Sequence, residues 1–183
     1  MGRFHERHED DYYKTPPSCT RALLNVETFS NVIEEPACGD GAISEVLRDR
    51  GYFVWSSDLV ARGYGAQADF LQKDERFCDS LVTNPPYALA EQFLLHAQEL
   101  GYHKIALLLR LAWLEGEKRR ETIFSRFPPI RIHVFSARQT LWKGDDPNAR
   151  TTGGMAAYAW FVWEKDFTGK PTIDWISREE SVT

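Results

Sequence analysis

Short strand-like runs alternate with segments of helical periodicity along most of this 183-residue chain. The strand-like runs are 31–34, 52–55, 80–83, 104–109, 130–135 and 156–163. Helical spacing of apolar residues follows the first run and recurs in 90–100 and 115–124. This alternation predicts an α/β fold with a doubly wound, mostly parallel sheet. Only loop sequence separates the last two strands, so we expect that pair to be antiparallel.

The size and composition of the chain predict a single domain. At 183 residues and 43% hydrophobic content, the chain can form one sizeable core but not two ordinary ones. We place the domain at 12–177, between a charged, flexible arm at 1–11 and a tail at 178–183. Neither a membrane-spanning run nor a signal-peptide pattern is present, which predicts a cytoplasmic protein.

Neither the cysteines nor the histidine-rich arm has the pattern of a metal site. Cys19, Cys38 and Cys78 are an odd number without metal-ligand spacing, and we expect reduced thiols. The arm contains His5, Glu6, His8 and Glu9, but charged termini of this kind are usually poorly ordered. The sequence therefore predicts no metal.

A glycine turn, Glu35-Pro36-Ala37-Cys38-Gly39-Asp40-Gly41, links the first strand to a helix. Strand, glycine turn and helix bring backbone close to a nucleotide-like ligand. The dinucleotide fingerprint Gly-x-Gly-x-x-Gly would need a third glycine where Ser44 stands, so NAD is not favoured.

Acidic residues follow at two later positions. Asp58 comes just after the second strand-like run, where Rossmann-like sites hold ribose hydroxyls, although a solvated strand-end aspartate is an equal alternative. Asp69 could accept a hydrogen bond from an adenine amino group, with the Phe70 ring beside the base. Ordinary turn and core roles are the alternative for that pair.

The tetrapeptide Asn84-Pro85-Pro86-Tyr87 directly follows the buried strand-like run 80–83. Two prolines stiffen the backbone and remove N–H donors, which leaves the Asn84 side-chain oxygen and the Pro85 carbonyl as acceptors. Two acceptors can hold the two hydrogens of an –NH2 group, while the Tyr87 ring can stack on a planar base for about 1–3 kcal/mol. If the strands before the glycine turn and before Asn84 are neighbours, both motifs face one crevice.

In their order along 12–110, these segments resemble the S-adenosylmethionine-dependent amino-group DNA methyltransferases, particularly those that methylate adenine N6. The resemblance implies a Rossmann-like fold, S-adenosylmethionine as cofactor and DNA as substrate, in a compact form without a separate target-recognition domain. The catalytic residues it implies are Asn84, Pro85, Pro86 and Tyr87. The cofactor-binding residues it implies are Tyr13, Thr15, Pro16, Glu35, Pro36, Ala37, Cys38, Gly39, Gly41, Asp58, Leu59, Asp69, Phe70 and Asn84.

The net charge of −5 is unusual for an enzyme that binds nucleic acid, but its distribution is uneven. Residues 100–150 hold ten basic and five acidic residues, whereas both flanking parts are acidic. We take as nucleic-acid-binding candidates Lys118, Arg119, Arg120, Lys143 and Arg150. A solvated helix face is an equal alternative for the first three, and 143–154 reads as a long mobile loop.

Three other functions are compatible with the same motifs. RNA adenine and a protein glutamine side chain both present an –NH2 group to Asn84. The glutamine methyltransferases that the chain would then resemble carry an added helical substrate-binding region, which is not seen in this sequence. A non-enzymatic cofactor-binding subunit of a heteromeric methyltransferase is the third, and the intact Asn84–Tyr87 motif argues against it.

Overall fold

The computed structural model describes residues 12–144 and 156–177, with Trp142 and Lys143 described by their backbone only. The predicted arm at 1–11, the tail at 178–183 and most of the predicted loop at 143–154, including Arg150, lie outside the described residues.

Ten strands and four α-helices make up the described part of the chain. In chain order they are β1 (Tyr13–Lys14), α1 (Pro17–Leu24), β2 (Val32–Glu35), α2 (Ala42–Asp49), β3 (Phe53–Asp58), β4 (Ala66–Gln67), β5 (Ser80–Thr83), α3 (Ala90–Glu99), β6 (Lys104–Arg110), α4 (Glu117–Arg119), β7 (Arg131–Phe135), β8 (Trp142–Lys143), β9 (Tyr158–Glu164) and β10 (Thr172–Ile176). Short 3₁₀ turns lie at Phe70–Gln72, Tyr87–Leu89 and Leu111–Leu114, and α4 continues into a π-helical turn at Arg120–Phe124.

Eight of these strands form one sheet in the order β10-β7-β9-β6-β5-β2-β3-β4. All neighbours in it are parallel except those of β9, which runs antiparallel to both β6 and β7. The predicted doubly wound, mostly parallel sheet with an antiparallel C-terminal pair is therefore confirmed.

Alternation of side chains along the central strands produces a core on each face of the sheet. Leu107 and Leu109 of β6 pack with α3 on one face, while Ala106 and Leu108 pack with α1 and α2 on the other. Because both faces are covered by helices, the central strands are apolar throughout, as expected for a buried parallel sheet.

The strand order reverses between β2 and β5, which are parallel neighbours. The glycine turn follows β2 and Asn84 follows β5, so the two motifs leave the same edge of the sheet at the point where strand order changes. Parallel α/β sheets bind ligands at such a point.

Several elements differ from the sequence-based expectation. The segment predicted as a helix over 115–124 is a short α-helical turn continued by a π-helical turn. The ribbon formed by β1 and β8 was not predicted, and neither was β10, which pairs parallel with β7 at the sheet edge.

None of the helices in the described ranges has the length and apolar character needed to cross a membrane.

Candidate active site

The glycine turn after β2 depends on two glycines with left-handed backbone. Gly39 has φ +56° and Gly41 has φ +89°, a region that disfavours other residues. A Cβ atom on Gly39 would lie 2.2 Å from the Tyr12 ring, and one on Gly41 would lie 2.5 Å from the Tyr64 ring. The turn thus requires glycine for its backbone conformation and for the close approach of two aromatic rings.

Asp58, at the end of β3, holds this turn in place. Its carboxylate accepts hydrogen bonds from the Gly39 N–H at 2.8 Å and from the Val60 N–H at 2.9 Å. Each carboxylate oxygen has a second lone pair, so these bonds leave capacity for a ligand hydroxyl. Leu59, next along the chain, is 39% exposed at the same edge.

Glu35 ends β2 and is 1% exposed. Burial raises the pKa of Glu35 well above its ordinary value, and hydrogen bonding to Ser44 only partly offsets this. Within the described ranges, no basic side chain forms an ion pair with Glu35. A buried carboxyl without a cationic partner is expensive to ionise, which makes this position receptive to a positively charged ligand group.

The N-terminal segment closes over the glycine turn. Lys14 forms an ion pair with Asp40, and the Tyr12 hydroxyl accepts from the Asp40 N–H at 3.2 Å. A pocket remains between this segment and the turn, lined by residues that include Tyr13, Thr15, Glu35, Ala37, Ile43 and Asn84. The structure therefore brings the predicted Thr15–Pro16 element, the glycine turn and Asn84 together.

Asn84 is held by its amide nitrogen. Nδ2 donates to the Tyr13 carbonyl at 3.0 Å and to Thr15 Oγ1 at 3.1 Å. A backbone carbonyl is only an acceptor, so it fixes the orientation of the amide. The other amide atom, Oδ1, is buried and has no hydrogen-bond partner among the residues that the structure describes. The free acceptor that the sequence predicts at Asn84 is thus present, with a cost of about 1–3 kcal/mol for leaving it unpaired.

Tyr87 lies in a group of aromatic rings beside Asn84. Its ring centroid is 5.1 Å from that of Tyr13 and 6.1 Å from that of Tyr158. The Arg110 guanidinium lies over the Tyr87 ring, 4.7 Å from the centroid. In the sequence, Arg110 is only one of the ten basic residues of 100–150, and the available signal was its position directly after the strand-like run 104–109. In the structure it is the last residue of β6, beside β5.

Asp69 and Phe70 occupy the turn and core roles given as the alternative. Asp69 Oδ1 accepts from the Leu71 N–H at 3.1 Å and begins a 3₁₀ turn. Phe70 is 3% exposed, and its ring packs 5.0 Å from Phe93 and 5.1 Å from His96. In this arrangement Phe70 belongs to the core, and its predicted contact with a base stays a prediction.

The basic candidates of the middle block differ from one another. Arg119 donates to the backbone carbonyls of Trp113 and Glu115, so it stabilises the chain around α4. The Lys118 side chain is 82% exposed and lies 4.0 Å from Glu91, and Arg120 is exposed. Arg131 and Lys104, by contrast, are committed to Glu27 at the amino ends of their strands. The basic side chains of the block that the structure describes do not form one continuous face.

The three cysteines are buried free thiols, as expected. Burial raises the pKa of Cys38 to about 12, so the thiol beside the glycine turn stays protonated at neutral pH. Cys38 therefore acts as an apolar side chain of the turn and not as a nucleophile.

No protein-family model matches the chain and no curated protein matches it by sequence, but solved structures resemble it. A methyltransferase subunit of a type I restriction-modification system from Streptococcus thermophilus superposes with a TM-score of 0.62 at 15% identity, covering 96% of this chain and 49% of that one. The chain has the class I methyltransferase fold. It spans about half of the restriction-modification subunit.

Two further solved structures share this fold. The 23S rRNA methyltransferase ErmE has a TM-score of 0.58 at 14% identity, covering 84% of this chain and 69% of that one. A dimethyladenosine transferase from Plasmodium falciparum has a TM-score of 0.56 at 11% identity, covering 84% and 63%. At identities this low, the structural similarity establishes the fold but does not identify the methyl acceptor.

Proposed function

We propose that this chain transfers a methyl group from S-adenosylmethionine to the exocyclic N6 of adenine in DNA. The observation that carries the proposal is the Asn84 amide. Its nitrogen is held by Tyr13 and Thr15, while its buried oxygen has no partner within the described ranges. An unpaired buried acceptor beside an aromatic ring is suited to an –NH2 group on a planar base.

The residues around the pocket fit S-adenosylmethionine. Glu35 would pair with the α-amino group, because this buried carboxyl has no protein cation as a partner in the described part of the chain. The Gly39–Gly41 turn gives close backbone approach, and Asp58 retains lone pairs for ribose hydroxyls. The cofactor, when bound, supplies a methyl group on a positively charged sulfur, which makes the leaving group a neutral thioether.

The protein's part in the reaction is to position the acceptor. Asn84 Oδ1 and the Pro85 carbonyl accept the two N6 hydrogens, which draws the nitrogen lone pair out of conjugation with the ring. Tyr87 stacks on the base, whose removal from the duplex costs a few kcal/mol. Since the leaving group is already activated, orientation rather than a strong base supplies most of the acceleration. The proton passes to water after the methyl group has been transferred.

The acceptor can be identified by labelling. The purified protein is incubated with methyl-labelled S-adenosylmethionine and separate pools of duplex DNA, single-stranded DNA, RNA and protein, and the labelled pool is digested. We expect the label as N6-methyl-2′-deoxyadenosine, released from DNA. Label in RNA adenine or in protein glutamine would keep the Asn84 chemistry and change the substrate, whereas no transfer to any pool would favour a non-enzymatic subunit.

A further inference from the structure

Arg110 covers the ring face that the proposed mechanism needs for stacking. Its guanidinium carbon lies 4.7 Å from the Tyr87 ring centroid and 6.0 Å from that of Tyr13. Arg110 is the last residue of β6, at the carboxyl ends of the strands where Asn84 also lies, and its side chain is exposed. A planar cation thus rests on Tyr87 at the place where a base would stack.

Within the described part of the chain, the charge of Arg110 is not committed to a carboxylate. The polar interaction found for its guanidinium is a hydrogen bond with the Tyr158 hydroxyl. Among residues 12–144 and 156–177, no carboxylate forms an ion pair with Arg110. This contrasts with Arg131, which contacts both Glu27 and Glu164. An exposed guanidinium without an acidic partner is available to an anion.

The free energies of the two contacts favour replacement of the Arg110 guanidinium by a base on the Tyr87 ring. An exposed cation–π contact contributes about 0.5–1 kcal/mol. Stacking of a base on an aromatic side chain contributes about 1–3 kcal/mol. A base that reaches Tyr87 would therefore displace Arg110, and the released guanidinium would lie near the sugar-phosphate backbone of the same nucleotide.

We propose that Arg110 covers Tyr87 in the free protein and, when a nucleotide base stacks there, moves to that nucleotide's phosphate. This inference rests on the proposed function and narrows it, because a phosphate partner belongs to a nucleic acid and not to a protein glutamine. Arg110 would then contribute both to discrimination between acceptors and to binding of the target strand.

The salt dependence of binding tests the phosphate contact. The probe is a fluorescently labelled single-stranded DNA of random sequence and fixed length, chosen because unpaired bases enter a pocket most cheaply. Each phosphate contact adds about 0.7 to the slope of log affinity against log salt for single strands. We expect the slope for Arg110→Ala to be smaller by about 0.7 and that for Arg110→Lys to be near the original value.

The matched control is Arg50→Ala, which removes the same charge at the far end of α2, where Arg50 contacts Asn25. Its slope should match that of the unaltered protein. Thermal unfolding checks the fold of each variant, and Arg110→Gln replaces Arg110→Ala if the latter does not fold.

A strand carrying abasic tetrahydrofuran sites in place of bases tests the exchange itself. Without a base to displace it, Arg110 stays on Tyr87. On the abasic strand, the slope of log affinity against log salt for the unaltered protein should therefore be smaller than on the normal strand. The slope for Arg110→Ala should be the same on both strands. Equal slopes for the unaltered protein and Arg110→Ala on the normal strand would overturn the inference. Failure of the unaltered protein to bind any DNA would instead count against the proposed DNA substrate.

Discussion

Glu27 and Glu35 are both almost fully buried, 4% and 1% exposed, yet they lie at opposite ends of the sheet and have opposite surroundings. Glu27 bonds to His133 at 2.8 Å and to Lys104 at 2.6 Å, and it also pairs with Arg131. Glu35 has Ser44 as its donor and no paired cation in the described part of the chain.

The pKa values of the two carboxyls follow from these partners. Burial alone would raise both. For Glu27, hydrogen bonds from His133, Arg131 and Lys104 outweigh burial and lower the pKa to about 2. For Glu35, burial dominates and the pKa is raised. The amino end of the sheet completes its charge pairs within the protein, whereas at the carboxyl end Glu35 forms no ion pair and the Asn84 oxygen has no hydrogen-bond partner among the described residues.

The largest effect is expected at the carboxyl end, from Asn84→Ala. Removing an acceptor that positions the reacting group should lower turnover by at least about 100-fold, by analogy with removal of one polar group from a transition-state site. Methyl transfer to the acceptor pool measures this. Undiminished transfer would end the proposed mechanism.

Thr15→Val provides the matched control for Asn84→Ala. It removes one hydrogen bond that holds the Asn84 amide nitrogen but leaves the Asn84 oxygen in place. Turnover should fall far less than for Asn84→Ala. A loss as large in Thr15→Val would assign the effect to the pocket wall instead of the acceptor oxygen.

At the amino end, Glu27→Gln should act on stability. Removing one partner of a buried charge network leaves the others uncompensated, and we expect the free energy of unfolding to fall by about 3 kcal/mol. Activity per folded molecule should be unchanged, because this cluster lies at the other end of the strands. Chemical denaturation and specific activity measure the two quantities; unchanged stability would show that the network is energetically neutral.

The Glu27 cluster also predicts how the stability of the protein changes with pH. Since the pKa of Glu27 is lower in the folded state, its contribution to stability is present above its ordinary pKa of 4.5 and is lost as the pH falls toward 2. The stability difference between the unaltered protein and Glu27→Gln should therefore shrink over this range. A difference that stays constant down to pH 2 would contradict the assigned pKa.

Glu35→Gln should weaken cofactor binding with little loss of stability. Gln retains an acceptor for Ser44 but cannot pair with an ammonium group, and loss of one charge-assisted bond of about 1.5–3 kcal/mol corresponds to roughly 10- to 150-fold in affinity. Calorimetry with S-adenosylmethionine measures this. Below about pH 7.5, where an α-amino group stays charged, affinity should rise with pH as Glu35 ionises, and Glu35→Gln should lack this rise.

The stability of Glu35→Gln should be unchanged or higher at neutral pH. A carboxyl whose pKa is raised on folding stabilises the protein at low pH and ceases to do so as it ionises. A large loss of stability in Glu35→Gln would show that the carboxylate has a structural partner and would weaken its assignment to the cofactor.

The sequence predicted the parts of the site that lie directly after strands. The apolar runs showed that Asn84 and the glycine turn directly follow strands. That these strands, β5 and β2, are neighbours was only a condition in the sequence and is a finding of the structure. The sequence did not predict the surroundings of Glu27, because Lys104 and His133 lie 77 and 106 residues away along the chain. The role of Arg110 likewise depends on β6 lying beside β5, which the order of motifs does not reveal.

The smallest effect is expected for Asp58, which serves both the protein and the proposed ligand. Asp58→Asn keeps an oxygen for the Gly39 N–H but loses the charge that favours ribose hydroxyls, whereas Asp58→Ala loses both. We expect cofactor affinity to fall by less than about tenfold for Asp58→Asn, the equivalent of one hydrogen bond of about 1 kcal/mol. Asp58→Ala should bind still more weakly, because the glycine turn also loses its anchor. Unchanged affinity in both variants by calorimetry would show that Asp58 does not contact the ribose, and equal losses would show that the carboxylate charge matters more than its bond to Gly39.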